Sequence, residues 1–100
     1  MCEFKVIKKN DGSQILEDIV ILSYTEDNEL LFKDIMGMGE ILKSALIVNV
    51  NTLNQTCVVL EHPLIQDFVG MIEKINSKTI SKDDIEKFEK QFVSLKESII

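Results

Sequence analysis

The side chains able to do chemistry in this chain are few and unevenly placed. Soft and borderline donors stand at Cys2, Cys57, His62 and the thioether pair Met36 and Met38. Cys2 is the most sharply placed of them. It lies in Met1–Lys9, whose alternation reads as a strand with Cys2, Phe4 and Val6 on one face and Glu3, Lys5 and Ile7 on the other. A thiolate there is a strong ligand for Ni(II), Cu or Zn. The competing reading is a small hydrophobe at the rim of a core, because free cysteine is among the most buried residue types.

The other donors have plainer readings. His62 is the single histidine and precedes Pro63, which holds it extended. It reads first as a cap at a strand–helix junction; across a closed barrel it would reach the Cys2 end as a secondary metal donor. Cys57 alternates with Val58 and reads as core. A Cys2–Cys57 bridge is geometrically open if the first and last strands pair, but two cysteines make no disulfide framework and a reducing cytosol disfavours it. Met36 and Met38 read as apolar filler, with Cu(I) the alternative. Glu26-Asp27 and Asp83-Asp84 fit a turn and a helix start.

Enzyme signatures are missing: there is no Gly-rich phosphate loop, nucleophile elbow or spaced His/Glu metal motif. A Cys–His pair with no orienting third group is thin ground for nucleophilic catalysis. A binding protein, not an enzyme, is expected.

Composition narrows the partners. The 100 residues carry 11 Lys and Arg, all of them Lys, against 17 acidic residues, for a net charge of −6. Binding to nucleic acid rests on basic side chains neutralising phosphates, so that balance argues against it, and against an anionic membrane surface. No apolar run approaches the roughly 20 residues needed to span a bilayer, and no charged-then-apolar leader precedes the first strand. A soluble, cytoplasmic protein is expected. With 45% apolar residues the chain can build a real core.

These residues are positioned by short elements. Asn10-Asp11-Gly12 supplies a hairpin turn after the first strand. A short strand at 13–16, a nearly continuous apolar one at 18–24 and another at 29–35 follow. Met36-Gly37-Met38-Gly39 breaks the pattern. The stretch 40–51 is too long for one flat strand and is expected to bend near Ser44-Ala45; Thr56–His62 is the last strand. Five or six such strands suggest a small antiparallel barrel.

At Pro63 the period changes. Ile65, Phe68, Ile72 and Ile75 mark a helix with Pro63 at its first turn. Ser81 and Asp84 form a capping box for a second helix, flanked by a staple pair, Ile80 and Ile85. Ile85, Phe88, Phe92, Leu95 and Ile99 then alternate three–four as a heptad seam. The fold expected is mainly β plus α: a barrel over residues 1–62 and an αα-hairpin over 63–100. Leu64, Val69, Met71, Val93 and Ile100 fall off the seams and call for a second surface, either the barrel or a partner subunit.

Met1-Cys2-Glu3, Asp11-Gly12, Asp34-Ile35 with nearby Gly37, and Leu60-Glu61 occur in this order. Over residues 1–62 the chain thereby resembles the CooT family, small nickel-binding proteins once labelled predicted RNA-binding proteins. Lys43-Ser44 and Asn51 stand where that family has a Gly/Pro turn and an acidic residue. The resemblance implies an SH3-like barrel and a homodimer holding Ni(II) through Cys2 of both chains. A protein of this kind is expected to act as a metal chaperone, store or sensor, with a nickel-enzyme maturation partner. It is silent on the hairpin.

The chemistry is coherent. With Met1 removed, the amine and thiolate of Cys2 form a five-membered chelate. With Met1 present, the Cys2 amide must deprotonate, which Ni(II) or Cu(II) in a square-planar field promotes. One chain offers too few donors, so two copies about a two-fold axis complete the set. Cu or Zn would also bind in vitro. The alternatives are a non-catalytic interaction module working through the helical hairpin and, third, RNA binding through the barrel.

Overall fold

A computed structural model describes residues 3–99; Met1, Cys2 and Ile100 lie outside them. The first strand, β1 (Phe4–Lys8), turns through Gly12, whose φ of 76° is the left-handed value a side chain would strain against, into β2 (Ser13–Tyr24). The two strands expected at 13–16 and 18–24 are one. Asp18 takes φ 59°, a region Asp tolerates better than most residues, and the strand bends there. Its first half then pairs with β1 (Val6 opposite Leu16). Its second half pairs with β3 (Leu30–Asp34), Leu22 lying opposite Phe32.

β4 (Gly39–Leu42) adds to β3, and β5 (Ala45–Asn51) pairs with β6 (Thr56–Glu61). β6 returns beside β1 in parallel, Val6 opposite Cys57. The order is β4-β3-β2-β1-β6-β5. The closed antiparallel barrel expected from strand spacing does not form: one pair is parallel, and no ladder joins β4 to β5. Lys43 and Ser44 alone carry the chain from one edge of the sheet to the other. Three Cα–Cα steps span at most about 11 Å, so the sheet is strongly curled although its seam is open.

A side chain holds that seam. The Tyr24 hydroxyl, at the end of β2, donates to the Ala45 carbonyl and accepts from the Ile47 N–H, both at 3.0 Å. These are groups on the edge of β5 that no strand satisfies. Removing the hydroxyl leaves both to solvent. Tyr24→Phe is expected to lower stability by about 1–2 kcal/mol, measured by urea unfolding; an unchanged midpoint would show that the seam does not need the hydroxyl.

The core is made by the inward rows of the curled sheet: Val6, Ile19, Leu30, Phe32, Ala45, Cys57 and Val59 are buried together. At the far end the Asn10 amide donates to the Glu61 carbonyl and accepts the Glu61 N–H, both at 2.9 Å, so one side chain completes the end of β6.

Pro63 starts α1 (Pro63–Asn76), and the capping box expected at Ser81 and Asp84 starts α2 (Lys82–Ser98). The Ser81 N–H and the Lys74 ammonium hold the Asp84 carboxyl below the usual carboxylate range. α1 packs beside β5 and is tied by polar contacts to the loops before β3 and β5. Gln66 bonds Ser44 Oγ and the Asp27 carbonyl, and Asn28 Nδ2 donates to Glu73. Of the apolar residues on the two helices only Phe88 is buried. The radius of gyration is 15.9 Å, against about 13 Å for a compact chain of this length. The hairpin stands away from the core. Among the described residues no helix is long and apolar enough to cross a membrane.

Candidate metal centre

The chain enters β1 between two neighbours. On one side the Lys5 N–H donates to the Gln55 carbonyl at 2.9 Å, which sets the turn at 52–55 alongside. On the other side Phe4 lies opposite Ile19 of β2. Leu53 in that turn is 97% exposed, and Val50 and Ile21 nearby are half-exposed. Apolar side chains thus face solvent around the strand's start. Cys2, the expected ligand, precedes this point and lies outside the described residues. Among those residues no group of three or more His, Cys, Asp or Glu is placed to hold a metal ion.

Cys57 takes the structural role expected of it. Its thiol is free and fully buried in the core of the curled sheet, and burial pushes its pKa above the ordinary 9.0. A buried protonated thiol is a poor ligand and a poor nucleophile.

His62 does not come near the start of β1. Because β6 runs parallel to β1, His62 lies at the other end of the strand pair. Gln55 marks the level of the strand's start, and seven residues separate it from His62, roughly 20 Å at the usual strand rise. The open, curled sheet does not shorten that path, so the donor role expected across a closed barrel is not supported within one chain. What the structure gives His62 is a cap: Nδ1 accepts the Leu64 N–H at 3.1 Å, and the His62 carbonyl accepts Ser44 Oγ. His62→Ala is therefore expected to cost about 1 kcal/mol, whereas His62→Asp, a stronger N-cap, should cost nothing. Thermal unfolding of both variants checks this, and equal losses would contradict the capping role.

Met36 and Met38 are largely exposed in the β3–β4 loop rather than buried as filler. The loop is shaped by Asp34, whose Oδ1 accepts the N–H groups of Met36 and Met38, both at 2.9 Å. Asp34 with Gly37 three residues on is a turn signature that the sequence does carry. Tyr24 has no such signal, because its partners on β5 are set by how the sheet curls.

The model of the family described as CO dehydrogenase accessory protein CooT matches residues 1–60. That stretch holds every strand short of the last residue of β6. Among solved structures, the crystal structure assigned to CooT from Carboxydothermus hydrogenoformans matches with a TM-score of 0.53 at 22% identity. The match covers 61% of this chain and 98% of that one, and at that identity it speaks for the fold. No curated protein matches the chain. The family pattern covers all of the sheet but the last residue of β6 and leaves the hairpin as an addition, and the chain belongs to the CooT family.

Proposed function

We propose that this protein is a non-catalytic nickel-binding accessory protein, a homodimer in which Cys2 of each chain holds one Ni(II) between them. The observation that carries this reading is Cys2 at the second residue of a chain whose first 60 residues match the CooT family. Two features support it. The other thiol is buried. The entry to β1 is flanked by exposed apolar residues, Leu53 above all, of the kind a second copy covers when two cysteines converge.

In this reading residues 1–62 are the metal-holding unit and 63–100 an added helical hairpin. Nickel is cargo. The family's description points to CO dehydrogenase maturation as the class of process served, with the nickel enzyme or its assembly machinery as the maturation partner. The net charge of −6 disfavours the RNA reading, as it would repel phosphates.

Thiol labelling tests the ligand. Metal bound to Cys2 holds it as a coordinated thiolate and blocks alkylation. In native metal-free protein one thiol per chain is expected to react with iodoacetamide; in stoichiometric nickel, none; in denaturant without metal, two. Labelling of the native protein that nickel leaves unchanged would count against Cys2 as ligand.

A further inference from the structure

A groove runs along α1, between the turn at 25–29 and α2, with a volume of about 1280 Å³. That exceeds the roughly 300–1,000 Å³ of sites built for small molecules. Its two walls stand on α1 at defined positions. The turn meets α1 at Gln66, whose side chain donates to the Asp27 carbonyl at 2.8 Å, and at Glu73, which accepts from Asn28 at 2.6 Å. α2 meets it at Asp67, which accepts from Gln91 at 2.7 Å, and at Lys74, which donates to Asp84 at 3.1 Å. At about 100° of rotation per residue, the two pairs of contacts lie roughly a quarter-turn apart around the helix. Gly70 falls midway between them, on the floor of the groove.

Nothing in the fold requires a glycine there. Glycine weakens a helix interior relative to alanine. A Cβ at Gly70 would have Asn28 Nδ2 at 3.9 Å and, beyond its own helix, no other atom within 4 Å. The missing side chain leaves room for another backbone to lie close against α1.

The walls are acidic. Glu26, Asp27 and Glu29 from the turn, Asp67 and Glu73 from α1 and Asp84 from α2 line the groove. Against these six carboxylates stand two lysines, Lys74 and Lys87, so the groove carries −4 of the chain's net −6. The side chains of Glu26, Asp27 and Glu29 have no hydrogen-bond or ion-pair partner among the described residues. Among those residues no three carboxylates are placed to share one metal ion. The charge is spread along the groove rather than gathered at a point. Met71 and Phe88 add apolar surface between the acidic groups. From Gln66 to Ser77 the groove follows α1 for about 17 Å, the length of about five extended residues.

Charge and shape together select the occupant. Carboxylate walls repel nucleic acid and an anionic membrane surface. An extended polypeptide with spaced ammonium or guanidinium groups matches both walls and can set apolar side chains on Met71 and Phe88. We propose that the groove docks a lysine- or arginine-rich extended segment of a partner protein, its backbone passing over Gly70. The docking does not rest on the nickel reading and uses no residue near the start of β1.

Fluorescence anisotropy of a labelled hexapeptide alternating lysine and leucine, titrated with the full chain at low salt, tests it. A peptide with glutamate in place of lysine is the counterpart. The lysine peptide is expected to bind and the glutamate peptide not to. Gly70→Leu fills the floor with a better helix former. It should weaken binding at least about tenfold while thermal stability does not fall. Glu26→Gln with Glu29→Gln removes two pairing charges and should weaken binding roughly two- to thirty-fold. The same charge change outside the groove, Glu17→Gln with Glu40→Gln, should weaken it by less than about twofold. That comparison leaves the helices untouched, so it decides the question even where Gly70→Leu fails to fold. Equal losses from the two pairs would reduce the effect to net charge and overturn the proposal. So would a lysine peptide that does not bind, or one that binds folded Gly70→Leu undiminished. Displacement of the peptide by equimolar spermine would also overturn it, assigning the groove to a free polyamine.

Discussion

Phe32→Ala is expected to lower the unfolding free energy by about 3–5 kcal/mol. Phe32 is the largest fully buried side chain, at the centre of β3, and the inward rows of the curled sheet converge on it. Two features make the cavity hard to close. Phe32 lies opposite Leu22 on β2 and Glu40 on β4, so its backbone is fixed from both sides. The sheet is also curled around its own core, with no second layer free to settle inward. Domains of this size are stable by about 5–15 kcal/mol in all, so the variant should melt at least about 12 °C lower or fail to accumulate folded. The comparison is Phe92→Ala, a ring of the same size at a half-exposed position, measured in metal-free protein at concentrations too low for self-association. There the loss should stay well under half as large. Equal losses at the two positions would mean that the hairpin, not the sheet, carries the stability.

That contrast also shows what was legible in the sequence. Alternation in Phe4–Val6 and in Thr56–Leu60 placed β1 and β6, because a strand that buries one face must repeat at two. Pro63 and the Ser81/Asp84 pair placed both helix starts, because caps are local chemistry, and the bend at Ser44 was readable from the length of the stretch. Two things were not. The interruption read between 16 and 18 is a bend within one strand, because Asp18 takes left-handed backbone and pairing continues past it, and left-handed backbone at a non-glycine leaves little compositional trace. Barrel closure was inferred from strand number. Closure depends on whether β4 and β5 present matching edges, and here the Tyr24 hydroxyl occupies the Ala45 and Ile47 positions such a ladder would use.

At the candidate site the sequence marked Cys2 and separated it from Cys57, which alternation correctly assigned to the core. It could not separate the two roles of His62. A histidine before proline is compatible with a cap and with a ligand, and only the parallel course of β6 beside β1 places it at the end remote from the strand's start. The heptad seam of α2 was likewise plain. That α1 would cover Phe88 and leave Phe92 half open follows from helix rotation, which periodicity alone does not fix.

The second large effect is chemical. Cys2→Ser is expected to abolish stoichiometric nickel binding while leaving the fold intact. A serine hydroxyl does not ionise near neutral pH and is a hard oxygen donor, so it replaces neither the charge nor the softness of a thiolate. In a site shared between two copies one substitution removes two ligands at once, and the loss of affinity should be at least about 100-fold. Cys57→Ala provides the internal control. It trims a fully buried side chain and should cost stability while leaving nickel affinity unchanged, since that thiol is enclosed in the core of the curled sheet.

Nickel titration of purified protein, followed by thiolate-to-metal absorption in the near ultraviolet with Cys2→Ser alongside, tests the shared cysteine site. With one Ni(II) held between two Cys2 thiolates, saturation falls at one nickel per two chains, and the absorption is absent from the variant. Saturation at one nickel per chain, or absorption that survives loss of the Cys2 thiol, would contradict an interfacial site built from the two Cys2 residues.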